Sequence, residues 1–576
     1  MHIILSENHS FDWKVEKIGV IGPGIVGMPM AALLANARIK IGTDKPAKVW
    51  VVQRNSKNSG WKVPAINEGK SVIGGIEPSL NNIVEKNVRE GILGASWDYN
   101  VLSDADVILI SIQTDKDGFG PDYKPLMGGL TSLAEALQKK PKGKIPLVVF
   151  ESTLAPSSMA TVIKDHFEKY GLIEGKDILL GNSPNRVMPG RLVERVTHSD
   201  KLVAGLHPET PRMITEIYKH IVTQGILHST NSMTAEVTKT LENAYRDVRI
   251  AFSTEMVRYC DENDISFYVL RDEVNKMLAQ EDNASIDPNV VPSGGILVPM
   301  IGVGGHCLPK DGILLWWRKY LTGSDTSQSI ILKSRIINDA SPAKTIALFE
   351  RKFEPIAKKK IAILGAAYRF NSEDTRNSPS LQFALQLLAK NCEIKIHDPY
   401  VKIDDQNLEK LNLTKYFTND LTTALQDAEY IVIGTAHKLY FEEFDAIIKK
   451  ALKLKGILDG SNTYNEKDVL SKGIAYAGIG RGKNSPTPDL ISFIYDSFRT
   501  VETGLANEVK SICDFLNSNY AKDEFNKISF SEVQRLGASC STGCVIADFG
   551  PVKLIPEFKG FSSELAKCAF HAFKDN

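Results

Sequence analysis

The sequence predicts an α/β protein: two parallel-sheet domains joined by a long central helix and a helical domain, with a C-terminal extension. Three observations carry this prediction. Short apolar runs alternate with longer amphipathic stretches over the first two-thirds of the chain. One uninterrupted helical pattern fills Thr234–Glu262, and a strand–turn–helix theme starts again at Lys360.

Taken in order, KIGVIG, KVWVVQ, DVILISI, IPLVVFES and KLVAGL read as buried parallel strands, because they are apolar throughout instead of alternating. TAEVTKTLENAYRDVRIAFSTEMVRYCDE contains neither Gly nor Pro, and its length suits a connector between domains or a dimer seam. A polar stretch near Ser324 and Ser327 precedes more helix. KKIAILGAAYRF, CEIKIHDP, EYIVIGT and KGILDG then supply a second sheet. After about Thr500 the pattern changes to EVKSICDFLNSNY and a tail containing Cys and Gly. The expected division is an α/β domain over residues 1–230, a helical domain over 231–345, a second α/β domain over 346–500 and an extension over 501–576.

Composition narrows the function classes. The 576 residues are too many for one core, and 43% hydrophobic with 24% charged residues is ordinary for a globular protein. Lys+Arg and Asp+Glu both total 69, so no global field favours nucleic acid or an acidic membrane. An anionic ligand needs a local site. MHIILSENHSFDWKVEK lacks the basic flank, apolar core and cleavage site of a secretory signal, and no run is long enough to span a bilayer. Seven cysteines without a dense framework fit a reducing compartment, so a cytoplasmic setting is expected.

Gly22, Gly24 and Gly27 in IGVIGPGIVG have G-x-G-x-x-G spacing directly after a strand and at the start of a helix. The first glycine permits a tight turn, the second a close approach of backbone to a pyrophosphate, and the third helix-on-strand packing. The helix start then offers unpaired N–H groups to the phosphates. A glycine-rich turn with no ligand is the bland alternative; the strand and helix around it favour a dinucleotide and a Rossmann-like domain. The acid expected at the end of the second strand is missing, and VWVVQRNSKNSG offers Gln53 and Arg54 instead. An amide can bond a ribose hydroxyl and an arginine can accommodate a 2′-phosphate, so NAD⁺ is expected and NADP⁺ is left open.

GVGGHCLPKD places Cys307 after a run of glycines, next to His306 and before Lys310 and Asp311. A lone cysteine is ordinarily a small buried hydrophobe. Nearby glycines, an adjacent His and a following Lys–Asp pair are not needed for that, and a nearby cation favours thiolate.

With IGPGIVG, ESTLAP, TAEVTKTLENAYR, GVGGHCLPKD and EDTRNSPS in this order, the chain resembles the UDP-glucose/GDP-mannose dehydrogenase family over roughly residues 17–490. The resemblance implies a nucleotide-binding domain, a central helical dimerisation domain and a second Rossmann-like domain that holds UDP. It implies a homodimer or higher homo-oligomer, with a UDP-sugar as substrate and no nucleic acid or membrane partner. The implied chemistry is oxidation of a sugar C6 alcohol to the aldehyde, capture by the Cys307 thiolate as a thiohemiacetal, oxidation to a thioester and hydrolysis.

Lys239 and Asn243 stand four residues apart and so share a helix face. Read bare they are an exposed face; by resemblance they stabilise charge on the reacting oxygen. By resemblance too, Glu151 in ESTLAP handles protons or activates water, and Asp311 positions water and Lys239. Thr114 stands near the nicotinamide ribose, although Asp115 replaces the proline that the family carries next to it. The cofactor set expected is Gly22, Gly24, Ile25, Val26, Gly27, Gln53, Arg54, Thr114, Lys310 and Arg376. The sugar-nucleotide set is Arg186, Gly304, Gly305 and Arg369. In EDTRNSPS the plainer role is helix capping by Asp374 and Ser378 before a helix from Leu381.

NSPNRVMPG narrows the sugar. Arg186 followed by Pro189 and Gly190 resembles members acting on UDP-N-acetylhexosamines. UDP-N-acetylmannosamine is favoured, then UDP-N-acetylglucosamine, then UDP-glucose. The alternative for Arg186 is to brace the Pro189–Gly190 turn. In the tail, Cys540, Cys544, Cys568 and His571 have zinc-compatible spacing, but ordinary thiols in a helical appendage are expected and no metal is assigned. Two rival readings are a single-step hydroxy-acid dehydrogenase, which needs no cysteine, and a sensor of nucleotide sugars, which needs no nucleophile.

Overall fold

The computed structural model describes residues 13–74, 77–187, 189–353, 355–540, 544 and 551–573. Most of the N-terminal segment read for a secretory signal lies outside them. The chain divides into two compact units, one of residues 1–242, 314–323 and 510–542, the other of residues 243–313, 324–509 and 543–576.

In the first unit the strands are β1 (Lys17–Ile21), β2 (Lys48–Val52), β3 (Leu93–Ser96), β4 (Val107–Ile110), β5 (Asp115–Asp117), β6 (Gly120–Asp122), β7 (Leu147–Phe150), β8 (Leu179–Asn182), β9 (Lys201–Gly205) and β10 (Leu227–Asn231). Eight of them form one sheet in the order β10-β9-β8-β7-β4-β1-β2-β3, while β5 and β6 make a separate antiparallel pair. Alternate residues serve opposite faces. Val107, Leu109, Leu147 and Val149 enter one core, and Ile108, Ile110, Val148 and Phe150 the other. Both faces are buried, which is why the strands read as unbroken apolar runs. Helix α1 (Gly27–Asn36) sends Met28, Met30 and Leu34 into the first of these cores.

One expectation needs correction. KLVAGL forms β9, which is parallel to β10 but antiparallel to β8. An unbroken apolar run reports burial on both faces and carries no information about strand direction.

The second unit holds β11 (Lys360–Leu364), β12 (Glu393–His397), β13 (Phe417–Thr418), β14 (Tyr430–Ile433), β15 (Gly456–Asp459) and β16 (Ala475–Gly478). They form a wholly parallel sheet in the order β13-β12-β11-β14-β15-β16. The long helix α2 (Ser232–Glu262) is continuous, and the division between units falls within it after Glu242. Helix α3 (Leu308–Leu321) follows the glycine-rich segment, and α4 (Pro379–Ala389) follows EDTRNS. The latter begins two residues earlier than expected, with Pro379 in its first turn and Ser378 at the N-cap; the Ser378 hydroxyl makes no cap bond.

Helix α5 (Pro488–Tyr520) runs through Thr500 without a break, so the change of pattern there marks no element boundary. In the second unit the C-terminal segments cover α2. Phe252 packs edge-on against Phe498 with ring centroids 5.3 Å apart, and Tyr259 stacks on Phe561 at 4.5 Å. The Glu255 carboxylate accepts from the backbone N–H of Glu564 at 2.7 Å and from the Ser563 hydroxyl at 3.0 Å, which caps α7 (Glu564–Phe573). In the first unit α6 (Phe530–Cys540) rests on β9 through Leu536 and Cys540, against Leu202 and Ala204. Among the described residues no helix is long and apolar enough to cross a membrane.

Candidate active site

In the first unit the glycine turn joins β1 to α1. Gly22 sits at φ +90°, and its N–H donates to Val52 at the end of β2 over 3.0 Å. A methyl on Gly27 would strike the carbonyl oxygen of Gly22, so helix and turn approach as closely as the third glycine allows. A methyl on Gly24 would meet nothing within 4 Å. The open side of the turn is therefore at Gly24, beside the exposed Ile25, where the backbone can receive a pyrophosphate. The residues fit a dinucleotide. Thr114 is buried with its hydroxyl donating to the Thr153 carbonyl at 2.6 Å, and Asp115 opens the β5–β6 pair. Gln53 donates to the Ser59 hydroxyl at 3.0 Å, while Arg54 is exposed.

Glu151 follows β7 and is buried. Its carboxylate accepts from Lys201 at 2.9 Å and also from Asn185 and Tyr218. Lys201 further donates to the Ser183 carbonyl at 2.9 Å. Burial pulls the Lys201 pKa down, with Glu151 opposing and the charges of Arg186 and Lys239 adding to the fall. Burial, and then Glu151, hold the Tyr218 hydroxyl well above its ordinary value. Lys201, Tyr218 and Asn185 were not found from the sequence, because they meet Glu151 only through strand pairing and packing over long separations.

Arg186 donates its Nε to both oxygens of the buried Glu242, at 2.8 and 3.0 Å. Lys239 lies 3.8 Å from the same carboxylate. Glu151, Arg186 and Lys239 thus belong to one charged cluster in this unit. The Pro189–Gly190 turn is held otherwise: Glu77 accepts from the N–H of Gly190 and, at 3.1 Å, from that of Leu192. Met188, between Arg186 and this turn, lies outside the described residues.

In the second unit Cys307 is exposed and stands immediately before α3. Its carbonyl accepts from the N–H groups of Lys310 and Asp311, so it is the capping residue of that helix. A thiolate there lies at the positive end of the helix dipole. Asp311 is fully buried. Asn243 donates to one of its oxygens at 2.6 Å, and the Lys310 ammonium lies 3.2 Å from the other.

The glycines before Cys307 face protein. A methyl on Gly305, at φ +87°, would come within 2.9 Å of the Tyr368 ring, and one on Gly304 within 2.8 Å of Pro379. The Gly305 N–H donates to the Arg376 carbonyl at 2.8 Å, and Asn377 donates to the Gly305 carbonyl at 2.9 Å. This clamp fixes the nucleophile's loop against EDTRNSPS. Arg376 donates from Nε to both oxygens of Asp374, at 2.9 and 3.1 Å. Burial works against its charge, but Asp374 keeps its pKa above the ordinary guanidinium value. Arg369 lies near Arg246 of α2, whose pKa burial and the charges of Arg249 and Arg369 pull down. Among the described residues no group of three or more His, Cys, Asp or Glu is arranged to hold a metal ion. Cys540 and Cys544 are buried, and Cys568 is partly so.

A glycine turn that fits a dinucleotide in the first unit, and in the second a helix-capping cysteine whose loop is clamped against EDTRNSPS, suit a dinucleotide-dependent dehydrogenase. Sequence models of the UDP-glucose/GDP-mannose dehydrogenase family match in chain order: the NAD binding domain over residues 16–222, the central domain over 233–340 and the UDP binding domain over 362–466. The chain belongs to this family. It is an NAD-dependent nucleotide-sugar dehydrogenase, and its substrate is a UDP-sugar.

It is 30% identical over 474 residues to a UDP-N-acetyl-D-mannosamine dehydrogenase of Pyrococcus horikoshii, covering 81% of this chain and 99% of the relative. A Campylobacter jejuni protein of the same name is 30% identical over 438 residues, covering 74% and 97%. The solved structure of the NDP-N-acetyl-D-galactosaminuronic acid dehydrogenase of Methanosarcina mazei superposes with a TM-score of 0.66 at 32% identity, covering 81% and 96%.

Proposed function

We propose that this enzyme oxidises the C6 hydroxyl of a UDP-N-acetylhexosamine, with UDP-N-acetylmannosamine favoured, to the uronic acid through a covalent adduct on Cys307. The observation that carries the reading is the exposed Cys307 at the start of α3, one turn from the buried Asp311 and the Asn243 that bonds it. A single-step hydroxy-acid dehydrogenase or a sensor has no use for such a thiol. The names of the Pyrococcus and Campylobacter relatives support the N-acetylmannosamine choice. UDP-N-acetylglucosamine and UDP-glucose are the alternatives.

Bound NAD⁺ supplies a hydride acceptor for each of the two oxidations. The chain's own groups do the rest. Gly22, Gly24, Ile25, Val26 and Gly27 would hold the pyrophosphate, with Gln53, Arg54 and Thr114 near the riboses and Lys310 and Arg376 beside the second unit's loop. Removal of hydride from C6 and of the O6 proton gives the aldehyde. The Cys307 thiolate adds to its carbon, and the resulting oxyanion is stabilised by the Lys239 cation and the Asn243 amide. Loss of a second hydride leaves a thioester. Water then adds to the thioester carbon, with Glu151 or Asp311 taking its proton, and expels the Cys307 thiolate with release of the acid. Arg186, Gly304, Gly305 and Arg369 are assigned to the sugar nucleotide.

The enzyme is assigned to the cytoplasm, in keeping with seven cysteines that form no disulfide among the described residues. A homodimer or higher homo-oligomer would need a seam other than the face of α2 that its own C-terminal segments cover. Specificity constants for the three UDP-sugars test the substrate. UDP-N-acetylmannosamine is expected to exceed UDP-glucose by about a hundredfold or more, a difference of ~2.7 kcal/mol. Equal turnover of UDP-glucose would sink the assignment.

A further inference from the structure

The end of β2 faces the glycine turn, since the Gly22 N–H bonds to Val52. In a Rossmann-like unit this is where the 2′ position of the adenosine ribose lies, and an acid there accepts from the 2′-hydroxyl while repelling a 2′-phosphate. No Asp or Glu occurs from Gln53 to Asn67. Three cations occur instead: Arg54, the exposed Lys57 and Lys62. Arg54 follows the strand directly, is exposed, and makes no ion pair among the described residues. Its charge reaches Tyr99, whose hydroxyl burial raises and Arg54 lowers. Lys62 reaches back from beyond the loop, and its ammonium donates to the Pro23 carbonyl at 3.3 Å, inside the glycine turn itself. Burial depresses its pKa and no carboxylate opposes this.

The loop between Arg54 and Lys62 is built, not slack. The Ser56 and Ser59 hydroxyls lie 2.7 Å apart, and Gln53 donates to Ser59 at 3.0 Å. The Gly60 N–H donates to the Ser56 carbonyl at 2.8 Å, and the Trp97 indole donates to the Gly60 carbonyl at 3.0 Å. A methyl on Gly60 would come within 2.9 Å of the Ser56 carbonyl oxygen. Gln53 is an uncharged acceptor and donor beside two hydroxyls, in a segment whose charged side chains are all cations, a surrounding that repels neither a hydroxyl nor a phosphate.

We propose that Arg54 and Lys62, with the Ser56–Ser59 hydroxyls between them, form a cradle for a 2′-phosphate, so that this dehydrogenase takes NADP⁺ as well as NAD⁺. The proposal concerns the first unit alone and does not depend on which sugar is oxidised. Binding without catalysis tests it. Calorimetry on the full chain compares adenosine 2′,5′-bisphosphate with 5′-AMP, and the bisphosphate is expected to bind about tenfold tighter or better. Arg54→Ala and Lys62→Met should each erode that ratio, and Gln53→Asp should invert it. In turnover, the ratio of kcat/KM for NADP⁺ to that for NAD⁺ should fall in the same order. Wild-type protein that binds 5′-AMP at least as tightly as the bisphosphate overturns the proposal. So does a binding ratio unmoved by both Arg54→Ala and Lys62→Met.

Discussion

Asn243 holds Asp311 by a 2.6 Å hydrogen bond, and Lys310 approaches the other oxygen of the same buried carboxylate. The carboxylate is locked between an amide and an ammonium one turn beyond Cys307. Asn243→Ala frees one side of it and removes a donor assigned to the oxyanion. The expected result is a loss of about a hundredfold in kcat with a small change in KM, because the donor matters most where charge develops. A matching rise in KM with kcat unchanged would place Asn243 in ground-state binding instead.

Among the described residues Lys201 is the cation bonded to Glu151, with Tyr218 and Asn185 as neutral partners. Lys201→Met leaves a buried carboxylate with neutral donors only and removes the cation that holds it in place. Stability should drop by ~3 kcal/mol, and kcat should fall by about tenfold or more if Glu151 handles the proton. Loss of stability with an unchanged kcat would mean that Glu151 takes no part in the proton chemistry.

Arg186 grips Glu242 with three hydrogen bonds, two from Nε and one from Nη2, so its guanidinium acts from a fixed position. Arg186→Ala is expected to narrow the preference for UDP-N-acetylmannosamine over UDP-glucose by about tenfold, ~1.4 kcal/mol. Glu242→Gln, which loosens the same guanidinium, should narrow it in parallel. Specificity constants on both sugars decide the matter. A preference unchanged in both variants removes Arg186 from sugar selection.

Burial pushes the Glu174 carboxyl from 4.5 up to about 8. One oxygen accepts from the Leu180 N–H at 2.7 Å, and the other is buried without a partner, as suits a protonated acid. A carboxyl protonated more readily in the folded state stabilises the fold fully below its unfolded value, and that stability is lost as pH rises through about 8. The Tm should therefore fall between about pH 4.5 and about pH 8, and fall less steeply in Glu174→Gln. Identical slopes in the two proteins would contradict this.

The parts of the site that were legible in the sequence are those written in local spacing. Gly22, Gly24 and Gly27 answer to one turn, Lys239 and Asn243 to one helix, and Cys307 to the residues on either side of it. What stayed hidden depends on distant pairing. Nothing near Glu151 points to Lys201, which arrives on β9, and nothing in KLVAGL says that β9 opposes β8. Lys62 meets Pro23 only because β1 and β2 are neighbours. The glycines before Cys307 have Cβ positions that face Tyr368 and Pro379, which a sequence cannot specify. Thr500 was misleading for a different reason: a change of composition fell in the middle of α5.

The central claim is that Cys307 carries the sugar between two oxidations. Its most direct test is the stoichiometry of NADH against UDP-N-acetylmannosamine in wild type and Cys307→Ser. The account predicts two NADH for each sugar converted to the uronic acid by wild type. The variant should bind the sugar nucleotide yet make no acid, stopping at the aldehyde. Uronic acid from Cys307→Ser at a rate near that of wild type, or one NADH per sugar in wild type with free aldehyde released, would contradict it.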